Sequence, residues 1–319
     1  MGIYGNINRI TLLEYYISDE TKQLNTMLPS LSSINEGNAW ETIKNVFGKI
    51  KKFFGFLKEK IDVLIDKIKV FAAKIFSGDE HKPISTHYSF SGKEKELASK
   101  INIEYREFNI DFIIKDLSNN YLREINDLWD SYLAIVDKRL NKSTYNEIKA
   151  KTEEINKSVD KFDELTKGLK DKYTKDSKDV SYPCTDGLAK AAIMHNNWFA
   201  GIKTIVHDLE LHSKNLANSL EDIDKAIKNM EKIIANNNGS GAAKDDLGNE
   251  ADLKDNCVIL VKWQMQLNKI ASNIKTSLFI IDGINEEIGK IAMKVSNALN
   301  KIKYHSAAAK NEKKENEVD

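Results

Sequence analysis

Residues 252–304 read DLKDNCVILVKWQMQLNKIASNIKTSLFIIDGINEEIGKIAMKVSNALNKIKY. Leu260, Leu267, Ile274, Ile281, Ile288, Val295 and Ile302 fall seven apart without a miss. Trp263, Ile270, Ile284 and Ile291 follow their heptad partners by three residues, and Leu278 and Leu299 follow theirs by four. Apolar residues at intervals of three and four mark a helix with one greasy face. A straight helix drifts about 20° per heptad, so a stripe held at strict sevens favours left-handed supercoiling. At about 1.5 Å per residue the stretch predicts a rod of about 80 Å. Ser277 and Ala298 thin the seam locally.

The same period extends upstream. Trp198, Ile202, Ile205, Leu209, Leu216, Leu220, Ile223, Ile227, Met230 and Ile234 form one stripe. Between the stripes lies NNNGSGAAKDDLGNE, Asn236 to Glu250, the clearest linker in the chain. Residues 188–235 and 251–305 are therefore expected to fold back as an antiparallel helical hairpin around linker 236–250. A central region, 93–173, adds two further helical stretches. One spans Lys93–Leu140 through Leu97, Ile101, Tyr105, Phe108, Phe112, Ile125, Trp129, Tyr132 and Val136, with a kink at Ser118-Asn119-Asn120. The other spans Thr144–Tyr173 through Ile148, Ile155, Val159, Phe162, Leu165 and Leu169. Breaks are expected at Leu28–Asn38, at the linker 77–92 and at the loop 174–187; residues 1–38 are an N-terminal segment and 306–319 a charged tail.

Composition agrees. Three prolines and fifteen glycines in 319 residues argue against turn-dense β architectures. Two cysteines, Cys184 and Cys257, exclude a disulfide framework and a four-cysteine zinc site. A hydrophobic share of 41% is too high for a disordered chain, and a charged share of 30% too high for a membrane-embedded one. Basic and acidic side chains balance at 48 each, which gives no global attraction to nucleic acid. The N-terminus lacks the apolar run of a secretory leader, and no apolar run approaches the roughly 20 residues of a membrane span. The expected fold is all-α: an elongated helical bundle or coiled coil with long antiparallel helices.

Residues 39–76 carry the most chemistry. Trp40, Ile43, Phe47, Ile50, Phe54, Leu57, Ile61, Leu64, Ile68, Phe71 and Ile75 alternate three and four apart, and Phe53, Phe56 and Phe76 widen the stripe. Nine lysines, Lys51 and Lys52 among them, against four acids leave the segment at a net +5. A wide aromatic face backed by lysines suits an interfacial helix: rings enter the acyl boundary and ammonium groups meet anionic headgroups. The same pattern also suits a core helix with a solvated back, and the two readings are compatible if the helix is stored first and released later. Trp40, Phe47, Phe53, Phe54, Phe56, Phe71, Phe76, Lys51 and Lys52 are the candidate membrane or partner contacts. Base stacking fits poorly, because the aromatics occupy the apolar stripe rather than the basic face.

Catalytic and ligand signatures do not emerge. His207 and His212 sit five apart, about 140° around a helix, whereas metal pairs need three or four. His212 falls on the apolar stripe, where a packed polar residue sets register. No phosphate loop, zinc-helix or nucleophile-elbow motif occurs. No cofactor or metal is implied, and the chain reads as a non-enzyme.

The segment AWETIKNVFGKIKKFFGFLKEKIDVLIDKIKVFAAKIF, Ala39–Phe76, resembles stretches of the tape-measure and internal head proteins of tailed bacteriophages. That resemblance implies a virion structural protein, an internal head or tail-associated component whose partners are other virion proteins or copies of itself. Maturation proteases of large phages cut after Glu in [LI]-x-E before a small residue. Ile34-Asn35-Glu36 followed by Gly37 matches, so Glu36-Gly37 is a candidate processing site. A competing resemblance is to helical-bundle pore-forming toxins, which store an amphipathic element and release it onto membranes. A coiled-coil scaffold or partner-binding module is the third reading.

Overall fold

The computed structural model describes residues 3–32, 39–77, 82–138, 140, 144–236 and 250–315. Eight α-helices are described: α1 (Ile3–Ser32), α2 (Ala39–Ser77), α3 (Lys93–Lys100), α4 (Ile110–Asp116), α5 (Arg123–Val136), α6 (Tyr145–Lys175), α7 (Cys184–Asn236) and α8 (Glu250–Glu315). A π-helical turn, Leu117–Leu122, joins α4 to α5. Strands β1 (Asn102–Glu107) and β2 (Lys178–Pro183) form one antiparallel pair, Ile103 opposite Tyr182 and Tyr105 opposite Val180. The fold is all-α, and its long helices are those of a helical bundle.

Several elements depart from the periodicity reading. The helix expected over 93–140 breaks at Ile101, whose extended backbone ends α3. Ile103 and Tyr105 are buried while Asn102 and Glu104 are exposed, so period two replaces period three-and-four for six residues. Asn109 then restarts the helix: its side chain accepts a 3.2 Å bond from the Phe112 N–H. The expected loop 174–187 contains β2, and α7 begins at Cys184, whose N–H bonds the Ile101 carbonyl at 2.9 Å. Gly187 makes this docking feasible, because a Cβ there would lie 2.6 Å from Ile103 and 2.8 Å from Tyr182. In the N-terminal segment α1 carries Pro29 in its last turn and continues to Ser32, where Leu31 is buried. At Ser118–Asn120, where a kink is expected, the chain runs through the π-helical turn. At the C-terminus the helix runs on to Glu315, into the expected tail.

The chain divides into two compact units. The first comprises residues 1–69, 123–166 and 209–276. Its core is α8 between Leu253 and Ile274, buried on nearly every face. Polar contacts reach this stretch from four elements. Lys275 pairs with Glu14 of α1, and Lys60 of α2 donates to Asn268 and Ser272. The Tyr132 hydroxyl of α5 donates to the Trp263 carbonyl at 3.2 Å. On α6, Thr152 accepts from Trp263 Nε1 at 3.3 Å and its carbonyl accepts from Gln266 at 2.9 Å.

The second unit comprises residues 70–122, 167–208 and 277–319. Here α8 buries one stripe: Ile281, Ile284, Ile288, Ile291, Val295, Ala298 and Ile302. Trp198 Nε1 donates to Asn285 at 3.1 Å, which ties α7 to that stripe. Asp116 is a hub at the start of the π-helical turn, receiving bonds from Lys172 and Tyr173 of α6, each at 2.8 Å, and from Asn120 at 3.0 Å. Burial pushes the Asp116 carboxyl up, but the bonds from Lys172, Asn120 and Tyr173 outweigh it and hold it below the ordinary range. Asn196 bonds both the N–H and the carbonyl of Ile84, pinning the irregular segment before α3.

Candidate functional site

The aromatic stripe of α2 points inward. In the first unit Phe47, Phe53 and Phe54 are buried, and in the second Phe71 is. Trp40 and Phe56 are half-buried, and Phe76 is 56% exposed. Of the candidate aromatic contacts, then, Phe76, Phe56 and Trp40 retain accessible surface. Phe56 lies under Tyr16 of α1, the rings stacked 5.1 Å apart, with the Lys52 ammonium 5.8 Å from its centre.

Lysines of α2 make ion pairs on several sides. Lys44 pairs with Glu41 of its own helix. Lys49 and Lys52 share Glu20 of α1, whose side chain is 2% exposed. Lys51 pairs with Glu231 of α7. Lys60 pairs with Glu14, and in the second unit Lys74 pairs with Asp282. The basic back of α2, Lys51 and Lys52 included, is largely matched by protein acids, so little of its +5 is left for an anionic surface.

Lys60 is the exception to solvated lysines. It is 1% exposed and holds Asn268 at 2.8 Å, Ser272 at 2.7 Å and Glu14 at 3.5 Å. Burial first, and Lys275 second, push its pKa down to about 8, against the opposing pull of Glu14. The neighbouring Lys67 is shifted the same way, chiefly by burial.

The seam residues Leu260, Leu267, Ile274, Ile281, Ile288, Val295 and Ile302 are all buried, the first three in the first unit and the last four in the second. The Glu36-Gly37 candidate lies outside the described residues.

The two thiols and His212 are sealed. Both cysteines are free and fully buried, and burial pushes the Cys257 thiol up to about 12, far from a thiolate nucleophile. His212 is fully buried, with no hydrogen-bond partner at either ring nitrogen among the described residues. Among the described residues no group of three or more His, Cys, Asp or Glu could hold a metal. Nor is any described helix long and apolar enough to cross a membrane. Two shallow depressions stand out among the described residues. One, of about 490 Å³ in the first unit, is edged by Asp137, Glu221, Asp222 and Lys225, and Lys225 is already paired with Glu221 and Asp222. The other, of about 370 Å³ in the second unit, lies beside Tyr105, Arg106, Asp179, Glu287 and Lys294. Neither sets a nucleophile beside a histidine.

Sequence reasoning missed an outward patch on α1: Leu12 is 52% and Tyr15 69% exposed, beside Tyr16. Their i, i+3, i+4 spacing, offset from the buried Ile10, Leu13 and Ile17, was the available signal. Comparison with known protein families, with curated proteins and with solved structures gives no match.

Proposed function

We propose that this chain is a non-enzymatic structural protein of a tailed-bacteriophage particle, assembling through helix faces with other virion proteins or with copies of itself. The observation that carries the reading is apolar surface left outward at helical spacing. It is on α1 of the first unit, where Leu12 and Tyr15 stand outward one turn apart, beside the partly exposed Tyr16. Single exposed apolar residues are ordinary, whereas grouped ones mark contact surfaces. The reactive side chains support a non-catalytic role, since the thiols are sealed and Lys60 and Asp116 hold helices together. The particle context rests on the resemblance of residues 39–76.

Light scattering of the full chain over a concentration series tests the assembly part. Mass should rise with concentration, and Leu12→Ser with Tyr15→Ser should reduce that rise; a concentration-independent monomer contradicts it. Mass spectrometry of gradient-purified particles tests the virion part: the chain should co-purify with capsid or tail proteins, and its absence rejects that context.

A further inference from the structure

The polar groups without partners are concentrated in the first unit. Both ring nitrogens of His212, both amide atoms of Gln264 and the Trp129 indole N–H are buried with no hydrogen-bonding protein group among the described residues. In the second unit the Tyr105 hydroxyl is in that position. A buried polar group without a partner costs about 1–3 kcal/mol, and far more if it must carry a charge. His212 is the one member of the set that gains a charge in mildly acidic solution.

We propose that the first unit is an acid-sensitive device: protonation of His212, sealed in its interior without a partner, opens the unit and exposes the faces that α2, α7 and α8 bury. The geometry leaves a proton nowhere to be compensated. Burial lowers the ring's affinity for a proton, and neither ring nitrogen has a hydrogen-bond acceptor among the described residues. The buried Glu20 and the half-buried Glu14 are committed to lysines of α2 and α8.

The sign follows from proton uptake. Burial pushes the imidazole down from 6.5 to about 4 in the folded unit. The opened unit binds the proton more readily, so stability is full above 6.5 and declines as pH falls toward 4. Between about pH 7.5 and about pH 5 the opening equilibrium rises about 30-fold.

Hydrogen exchange of the full chain, corrected for intrinsic rates, tests this in the parent protein, His212→Leu and His212→Gln. Neither replacement can take up a proton, and Gln keeps a polar side chain where Leu over-perturbs the helix. In the parent, peptides from 209–234 and 253–276 should exchange about 30-fold faster at the lower pH. Peptides from 184–206 and 281–302 should change several-fold less. Both variants should lose the acid-induced gain. Every carboxylate remains in all three proteins, so a gain that survives removal of His212 belongs to another group and overturns the proposal. A parent whose first unit keeps its protection overturns it as well.

Discussion

Two stretches of α8 carry one heptad pattern and meet different fates. From Leu253 to Ile274 the helix is buried on nearly every face and takes Asn256, Gln264, Gln266 and Asn273 inside with it. From Ile281 to Ile302 only the stripe is buried, and Phe279, Met293 and Tyr304 face out. The repeat specifies one seam; how many neighbours close over the rest of the helix depends on elements far away in sequence. The cost differs too. Among the described residues several buried polar atoms of the first unit lack partners and in the second the Tyr105 hydroxyl does, whereas Trp198–Asn285 and the Asp116 hub of the second are bonded.

Substitutions sharpen this contrast. Trp263→Ala should have the largest effect, a loss of about 3–5 kcal/mol in urea unfolding, because the ring is 1% exposed and bonded to Thr152. Met293→Ala, 61% exposed on the other stretch, should stay within about 0.5 kcal/mol. Equal losses would break the distinction. Asp116→Ala should destabilise by about 3 kcal/mol, since Tyr173 and Lys172 lose their common acceptor; thermal melting reads it.

Lys60 gives a pH test in the first unit. Its folded pKa of about 8 lies below the ordinary 10.5, so the unfolded chain keeps the proton longer. Stability gained through this group should therefore rise by about 2–3 kcal/mol as pH climbs through that window. Denaturant titrations should show the rise in the parent and its absence in Lys60→Met. The smallest expected effect is that of Leu12→Ser with Tyr15→Ser: self-association weakens while stability shifts by less than about 0.5 kcal/mol.

Much of the architecture was legible because the apolar stripes are long and regular. The seam from Leu260 to Ile302 and the inward set Ile43, Ile50, Leu57 and Ile68 sit in the core on the period that marked them. The strand pair was not legible. Ile101, Tyr105, Phe108 and Phe112 fit helical spacing as well as Ile103 and Tyr105 fit alternation, and the partner strand at 178–183 is remote in sequence. The candidate contacts on α2 were legible as a stripe but not as buried or free, because that depends on α1, α7 and α8. The pairing of Lys51 with Glu231 and of Lys52 with Glu20 joins residues that no local pattern relates.

Thiol labelling of single cysteines placed along α8 tests the central claim most directly, which is that the heptad seam of this helix is interior in each unit while positions off the seam stand exposed. Positions 274 and 288 should resist labelling in the native protein while positions 279 and 293 react rapidly. Position 288 reacting as fast as position 293 would contradict the account.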